Sequence, residues 1–118
     1  MATDKSAVGR RSRRKGANGE RELAKILTDA GYECRRGCQY NGRGAADVIG
    51  LPNVHIEVKR VERLDLYGAM TQSICDSKGL ELPTVFHRRN NKPWLVTMPI
   101  NDWLLLYSLS EMGKEDGK

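Results

Sequence analysis

The sequence is poor in features that secreted and membrane-spanning proteins use. Its cysteines, Cys34, Cys38 and Cys75, are odd in number and lack the spacing of a disulfide framework or of paired zinc ligands, so we expect reduced thiols in a cytoplasm. The longest apolar run covers residues 103–107, far below the roughly 18 residues of a membrane span. Hydrophobic residues nevertheless make up 39% of the 118 residues, which is enough for one core and argues against wholesale disorder.

Positive charge is concentrated at the N-terminus. The net charge is +5, and residues 1–15 hold six basic side chains against one acidic, whereas the rest of the chain holds 14 of each. This segment lacks the apolar stretch of a secretory signal, and we predict a flexible arm that binds a polyanion, nucleic acid first. The alternative is a solubilising tail. The arm residues expected on phosphate are Arg10, Arg11, Arg13, Arg14 and Lys15.

Residues 16–112 have the pattern of one domain in which helices and strands alternate. Helical spacing and end signals predict helices over about 19–30, 65–77 and 99–110. Short segments bounded by turn residues predict strands over about 32–36, 45–50, 54–59, 83–87 and 94–98. The order α-β-β-β-α-β-β-α predicts an α/β fold with a mixed central sheet flanked by helices. A charged tail is expected over residues 113–118.

Four charged residues form a candidate catalytic group. Strand alternation places Glu57 and Lys59 on one face, with Asp47 on the hairpin partner. Glu20 lies at the border of the apolar stripe that Leu23 continues along the first helix. Carboxylates are the ligands that Mg2+ prefers, and a lysine beside them can orient water or balance charge on a phosphate. The alternative is an ordinary Glu57–Lys59 ion pair, with Glu20 as a favourable first-turn carboxylate.

These residues carry a family resemblance. Asp47 followed by Ile56-Glu57-Val58-Lys59 resembles the PD-(D/E)xK nuclease signature, with Ala46 where the signature has its proline. Residues 15–23, followed by Gly31-Tyr32, resemble the opening helix of archaeal-type Holliday junction resolvases. The resemblance implies a restriction-endonuclease-like fold and an Mg2+-dependent phosphodiesterase, with Mn2+ as a substitute. The positions that it implies for metal binding and catalysis are Glu20, Asp47, Glu57 and Lys59, with Gln72 as an accessory residue.

Two departures bear on the substrate. The loop over residues 39–44 lacks the serine of the archaeal enzymes, and residues 87–94 look more like small phage-encoded resolvase-like nucleases. We therefore expect a structure-specific DNA endonuclease, a homodimer that resolves Holliday junctions in recombination and repair, in the host cytoplasm if phage-encoded. The alternatives are action on nicked, flapped or duplex DNA in phage genome processing, or a non-catalytic DNA-binding module. Candidate DNA-binding residues outside the arm are Arg21, Arg43, Arg60, Arg88 and Arg89.

Three further sequence features each allow two interpretations. His55 shares the face of Glu57, but a buried structural histidine is the more common role. Gln72 could equally be a surface polar residue. The apolar side chains near the C-terminus are expected in the core, with a dimer surface as the alternative; they are Trp94, Trp103, Leu105 and Leu106.

Overall fold

The computed structural model describes residues 5–37 and 46–114, so Cys38, Arg43 and the last four residues lie outside it. The elements follow the predicted order. They are α1 (Lys5–Asp29), β1 (Arg35–Arg36), β2 (Val48–Ile49), β3 (Val54–Arg60), α2 (Leu66–Asp76), β4 (Leu82–Arg88), β5 (Leu95–Thr97) and α3 (Ile100–Leu109). The predicted division into arm, domain and tail stays a prediction.

The strands form one five-stranded mixed sheet in the order β1-β2-β3-β4-β5. β3 and β4 are parallel, and the other neighbouring pairs are antiparallel. A parallel pair needs a crossover connection, which α2 provides, whereas β2 and β3 are joined by a short turn. The sequence prediction of a restriction-endonuclease-like α/β fold is confirmed.

The two faces of β3 meet different helices. Ile56 and Val58 pack with Leu23 of α1, Val48 and Phe86 in the main hydrophobic core. The alternate residues of β3 face α2, whose buried residues lie over β3 and β4. There the backbone N–H of Thr84 donates to the Ser73 hydroxyl at 3.1 Å. The charged face of β3 is therefore the α2 face.

The predicted start of the first helix near Gly19 is wrong. α1 begins at Lys5 and continues through Gly16 and Gly19, so residues 5–15, where we predicted a flexible arm, are helical. Lysine, arginine and alanine favour helix, and extending a packed helix is easier than nucleating one. The buried face also differs, because Gly19 and Ala24 are buried while Ile26 is 44% exposed. Glu20 consequently lies within the buried face rather than at its border.

α3 is apolar and largely exposed. Trp94 packs against the main core, but the expectation of core packing is wrong for Trp103, Leu105 and Leu106, which are about half exposed. Trp103 and Tyr107 stack on each other along the helix, with ring centroids 5.1 Å apart. None of the other described helices and strands packs extensively against α3. Within the described ranges, no helix is both long and apolar enough to cross a membrane.

Candidate active site

Asp47 lies directly before β2, close to β3. Val48 pairs with Ile56 in the antiparallel register, and the backbone N–H of Asp47 donates to the Ile56 carbonyl at 2.9 Å. The Asp47 side chain reaches β3, where its Oδ2 accepts the Val58 N–H. The charge of Glu57 acts on Asp47 there, so the structure brings these two carboxylates near each other.

Asp47 sits in an environment that disfavours its negative charge. Its side chain is buried, and burial raises the pKa of Asp47 to about 6. The backbone N–H of Val58 donates to Oδ2 at 2.8 Å and opposes this rise, whereas the charges of Glu57 and Glu20 add to it. Carboxylates that repel one another in a buried place form an environment in which a cation is strongly favoured.

Glu20 joins this group electrostatically but already has a partner. Its Oε1 accepts a hydrogen bond from Nε of Arg36, on β1, at 2.8 Å. The side chain is 15% exposed, as expected from its place in the buried face of α1. The ligand atoms of Glu20, Asp47 and Glu57 do not all lie within 4.8 Å of one another. The charge of Glu57 acts on Asp47 more strongly than that of Glu20 does, so Asp47 and Glu57 form the central pair.

Lys59 lies two residues beyond Glu57 on the same face of β3. Its Nζ is 4.0 Å from Oε2 of Glu57. Its side chain is 31% exposed, so it lies between the buried Glu57 carboxylate and solvent. It lines two neighbouring depressions, one of about 350 Å³ shared with Lys15 and Arg60 and one of about 310 Å³ shared with Gln72. Gln72 is exposed on α2 and lines the second depression with Lys59, and its accessory role stays a prediction.

His55 lies on the other side of Glu57 and is almost completely buried. Its Nε2 is 3.7 Å from Oε1 of Glu57, and its Nδ1 is 3.7 Å from Oε1 of Glu81, both just beyond hydrogen-bond distance. The Glu57 carboxylate raises the pKa of His55 most, burial opposes the rise, and the charges of Glu81 and Asp76 add to it. Within the described ranges, His55, Glu57 and Asp76 are the one trio whose ligand atoms all lie within 4.8 Å.

Some of the predicted DNA-binding residues are exposed, whereas others contact neighbouring protein residues. Arg10, Arg14 and Arg21 are exposed and spaced i, i+4 and i+11, which places them on one face of α1. Lys15 pairs with Glu62 at 3.3 Å. Arg13 and Arg89 are also exposed, and Arg60 packs its stem against Gly19. The side chain of Arg11 and all of Arg43 lie outside the described residues.

Arg88 belongs to a network that sequence reasoning missed. Its guanidinium pairs with Glu22 of α1, and the same Glu22 oxygen accepts from Nε1 of Trp94 at 2.7 Å. Burial raises the pKa of Glu22, but the hydrogen bonds from Trp94 and Arg88 outweigh it, so the pKa lies below its ordinary value. The network ties α1 to the end of β4. Its residues are far apart in sequence, and no local pattern signals it or the Arg36–Glu20 pair.

The fold and this site define the class of protein. A mixed sheet flanked by helices, with Asp47, Glu57 and Lys59 at one hairpin, is the architecture of the PD-(D/E)xK nuclease superfamily. The chain belongs to the archaeal Holliday junction resolvase (hjc) family, whose model matches residues 11–106. This confirms the resemblance found in the sequence and places the chain in a nuclease family whose partner is branched DNA. No curated protein and no solved structure matches the chain significantly.

Proposed function

We propose that this protein is an Mg2+-dependent endonuclease that cleaves four-way DNA junctions. The observation that carries the proposal is the pair Asp47 and Glu57, buried near each other, with Lys59 at the solvent end of the β3 face that carries Glu57. Family membership supports the substrate class. The donor set fits the ion, since Mg2+ is commonly held by one or two carboxylates, with water and substrate phosphate completing the shell.

The protein side chains have separable roles in this proposal. Asp47 and Glu57 would hold Mg2+, with Glu20 assisting, and Arg36 keeps Glu20 oriented beside Asp47. When bound, the ion supplies Lewis-acid chemistry that polarises the phosphate and neutralises developing charge. Lys59 would position the attacking water, or compensate charge on the phosphodiester, from the depressions that it lines. Gln72 would contact the substrate from α2.

DNA binding is proposed for the exposed basic face of α1 and the surface around Lys59. Arg10, Arg14 and Arg21 follow one face of the helix over about 16 Å, a spacing suited to successive phosphates of a backbone. Lys15 and Arg60 border the depression next to Lys59 and extend the basic surface to the candidate active site. Such contacts supply affinity without reading sequence, which suits recognition of DNA shape.

We further propose a homodimer that uses α3. Symmetric cuts across a four-way junction need two active sites, which a twofold dimer supplies. The apolar side chains of α3 are exposed in the single chain, and a groove of about 520 Å³ with Met70 and Ile74 of α2 adjoins its first residue, Ile100. Large exposed apolar surfaces mark protein interfaces.

Lys59→Met tests the proposed chemistry, because the change keeps the aliphatic stem and removes the ammonium group. We expect cleavage of a labelled four-way junction in Mg2+ to fall about 100- to 10,000-fold, the usual range for loss of a group that assists proton transfer. Junction affinity should stay within about tenfold, since many phosphate contacts remain. Lys25→Met is the matched control, because Lys25 pairs with Asp29 on the exposed side of α1, and it should cleave normally.

The same assay with nicked, flapped and linear DNA of matching sequence decides the substrate. Paired symmetric cuts in the junction alone support the proposal. Equal cutting of the other forms would leave a nuclease and remove the junction specificity. Binding without cleavage of any form, in the presence of Mg2+ or Mn2+, would point to a non-catalytic DNA-binding module.

A further inference from the structure

A second group of metal-ligating side chains lies next to Glu57, on the side opposite Lys59. His55, Glu57 and Asp76 each offer one ligand atom, and these atoms all lie within 4.8 Å of one another. His55 approaches Oε1 of Glu57, whereas Lys59 approaches Oε2. Ligands bound at about 2.1 Å lie about 3.4 Å apart around a tetrahedral ion. The three ligand atoms therefore need to close by about 1.4 Å at most to share one ion.

His55 provides the observation that points to a ligand. Its ring is 1% exposed, and within the described part of the chain Nε2 is a buried atom without a hydrogen-bond partner. Buried polar atoms almost always have a partner, so this nitrogen calls for an explanation. Nε2 is also the ring nitrogen nearest to Glu57, so it faces the cluster.

The surroundings of His55 match those of a metal-ligating histidine. Such histidines commonly donate the other ring N–H to a carboxylate, which sets the tautomer and the ring orientation. Nδ1 of His55 is 3.7 Å from Oε1 of Glu81, which also accepts the Lys78 N–H at 2.8 Å. Asp76 is the last residue of α2 and is partly exposed, which leaves an entry path for an ion.

We propose that His55, Glu57 and Asp76 form a second cation site, which binds a transition-metal dication such as Zn2+. An imidazole nitrogen with two carboxylates suits Zn2+ and disfavours Mg2+, which prefers oxygen ligands alone. A dication with two carboxylates and a neutral imidazole leaves the cluster neutral. The site shares Glu57 with the one proposed at Asp47 but takes its other ligands from His55 and Asp76, and it goes beyond the proposed function because it requires neither DNA nor cleavage.

Nitrogen NMR of the histidine rings tests this site with Zn2+ as the probe. The chain has two histidines, and His87, whose Nε2 lies 2.8 Å from the Thr97 hydroxyl, serves as an internal reference. We expect one equivalent of Zn2+, added to the full metal-free chain in excess Mg2+, to shift the His55 ring nitrogens and leave those of His87 unchanged. Asp76→Asn should weaken this Zn2+ binding at least about tenfold, while Asp47→Asn should preserve it.

Three outcomes would overturn the proposal. One is that Zn2+ does not shift the His55 ring nitrogens. Another is that Asp47→Asn weakens Zn2+ binding as much as Asp76→Asn does, which would assign the ion to the site at Asp47. The third is loss of binding in Cys75→Ser, because Cys75 is an exposed thiol next to Asp76. Asp76→Asn should still cleave DNA in Mg2+, so failure of this site and failure of the proposed nuclease are separate results.

Discussion

Asp47 shows at the scale of single residues how a candidate functional site opposes stability. Its carboxylate is buried near the charge of Glu57, and Glu20 adds a third negative charge. The Val58 N–H and the Lys59 charge offset this effect only in part, because the pKa of Asp47 remains about 6. The metal-free fold therefore holds a charge that the unfolded chain would carry more favourably, and a bound cation would relieve this cost.

Asp47→Asn is expected to stabilise the metal-free protein at pH 8. Because the pKa of Asp47 is raised, the folded state binds the Asp47 proton more tightly than the unfolded state does. The stability of the fold therefore falls as pH rises from about 3.8 to 6, and it stays reduced above pH 6. A shift of this size corresponds to about 3 kcal/mol at most. Asparagine keeps an acceptor for the Val58 N–H. Thermal unfolding in a chelator should give a higher midpoint for the variant at pH 8 and no difference below about pH 4.

Asp29→Asn is the control for this measurement, because Asp29 is an exposed carboxylate at the end of α1. It should shift the midpoint little at either pH. A lower midpoint for Asp47→Asn than for the wild type at pH 8 would contradict the argument.

At the scale of elements, the approach of α1 to β3 positions the site. A Cβ added to Gly19 would lie 2.9 Å from Cβ of Arg60, so only glycine lets the helix come this close. Glu20 follows directly and is thereby placed next to Asp47. Glu22, two residues further, ties the same helix to Arg88 and Trp94. One turn of α1 thus carries both the site residue and the contacts that orient the helix.

Two glycines of α1 separate this packing effect from helix propensity. Gly16→Ala should stabilise the protein by about 0.5–1 kcal/mol, because a Cβ there meets nothing within 4 Å and alanine favours helix. Gly19→Ala gains the same propensity but must displace Arg60, so it should be about 1–3 kcal/mol less stable than Gly16→Ala. Urea unfolding measures both. Equal stabilisation by the two substitutions would show that the helix can move away freely.

At the scale of the whole molecule, the chain leaves an apolar element uncovered. α3 exposes its large side chains, and none of the other described elements packs extensively against it. A helix that is apolar around most of its circumference is normally buried. A second copy of the chain is the partner that the proposed paired cleavage requires.

Leu105→Glu combined with Leu109→Glu should convert the proposed dimer into a monomer. The two leucines lie one turn apart and are 50% and 63% exposed, so the folded chain tolerates the charges whereas an apolar interface does not. Sedimentation equilibrium gives the mass of each variant. Asn101→Glu, a polar and exposed position on the same helix, is the control and should remain a dimer. A wild-type monomer at every concentration would refute the dimer.

The order of the elements and the central pair of carboxylates follow from local sequence. The alternation in β3 and the short turn before it are enough to bring Asp47 near Glu57, because hairpin register depends on neighbouring residues. The start of α1 was predicted wrongly, since the end signals suggested a start near Gly19 where the packed helix continues. The basic residues of the expected arm are consequently arranged along a helix.

Contacts between distant segments were decided by the tertiary structure alone. No local sequence pattern connects the residues that these contacts join. The contacts are Arg36 with Glu20, Arg88 and Trp94 with Glu22, and Asp76 with His55. Periodicity reports which face of an element is apolar, but the rotation of α1 against the sheet depends on Gly19 meeting Arg60. Local chemistry is thus enough to identify the class of site, whereas the surroundings that set its charge and geometry arise from packing.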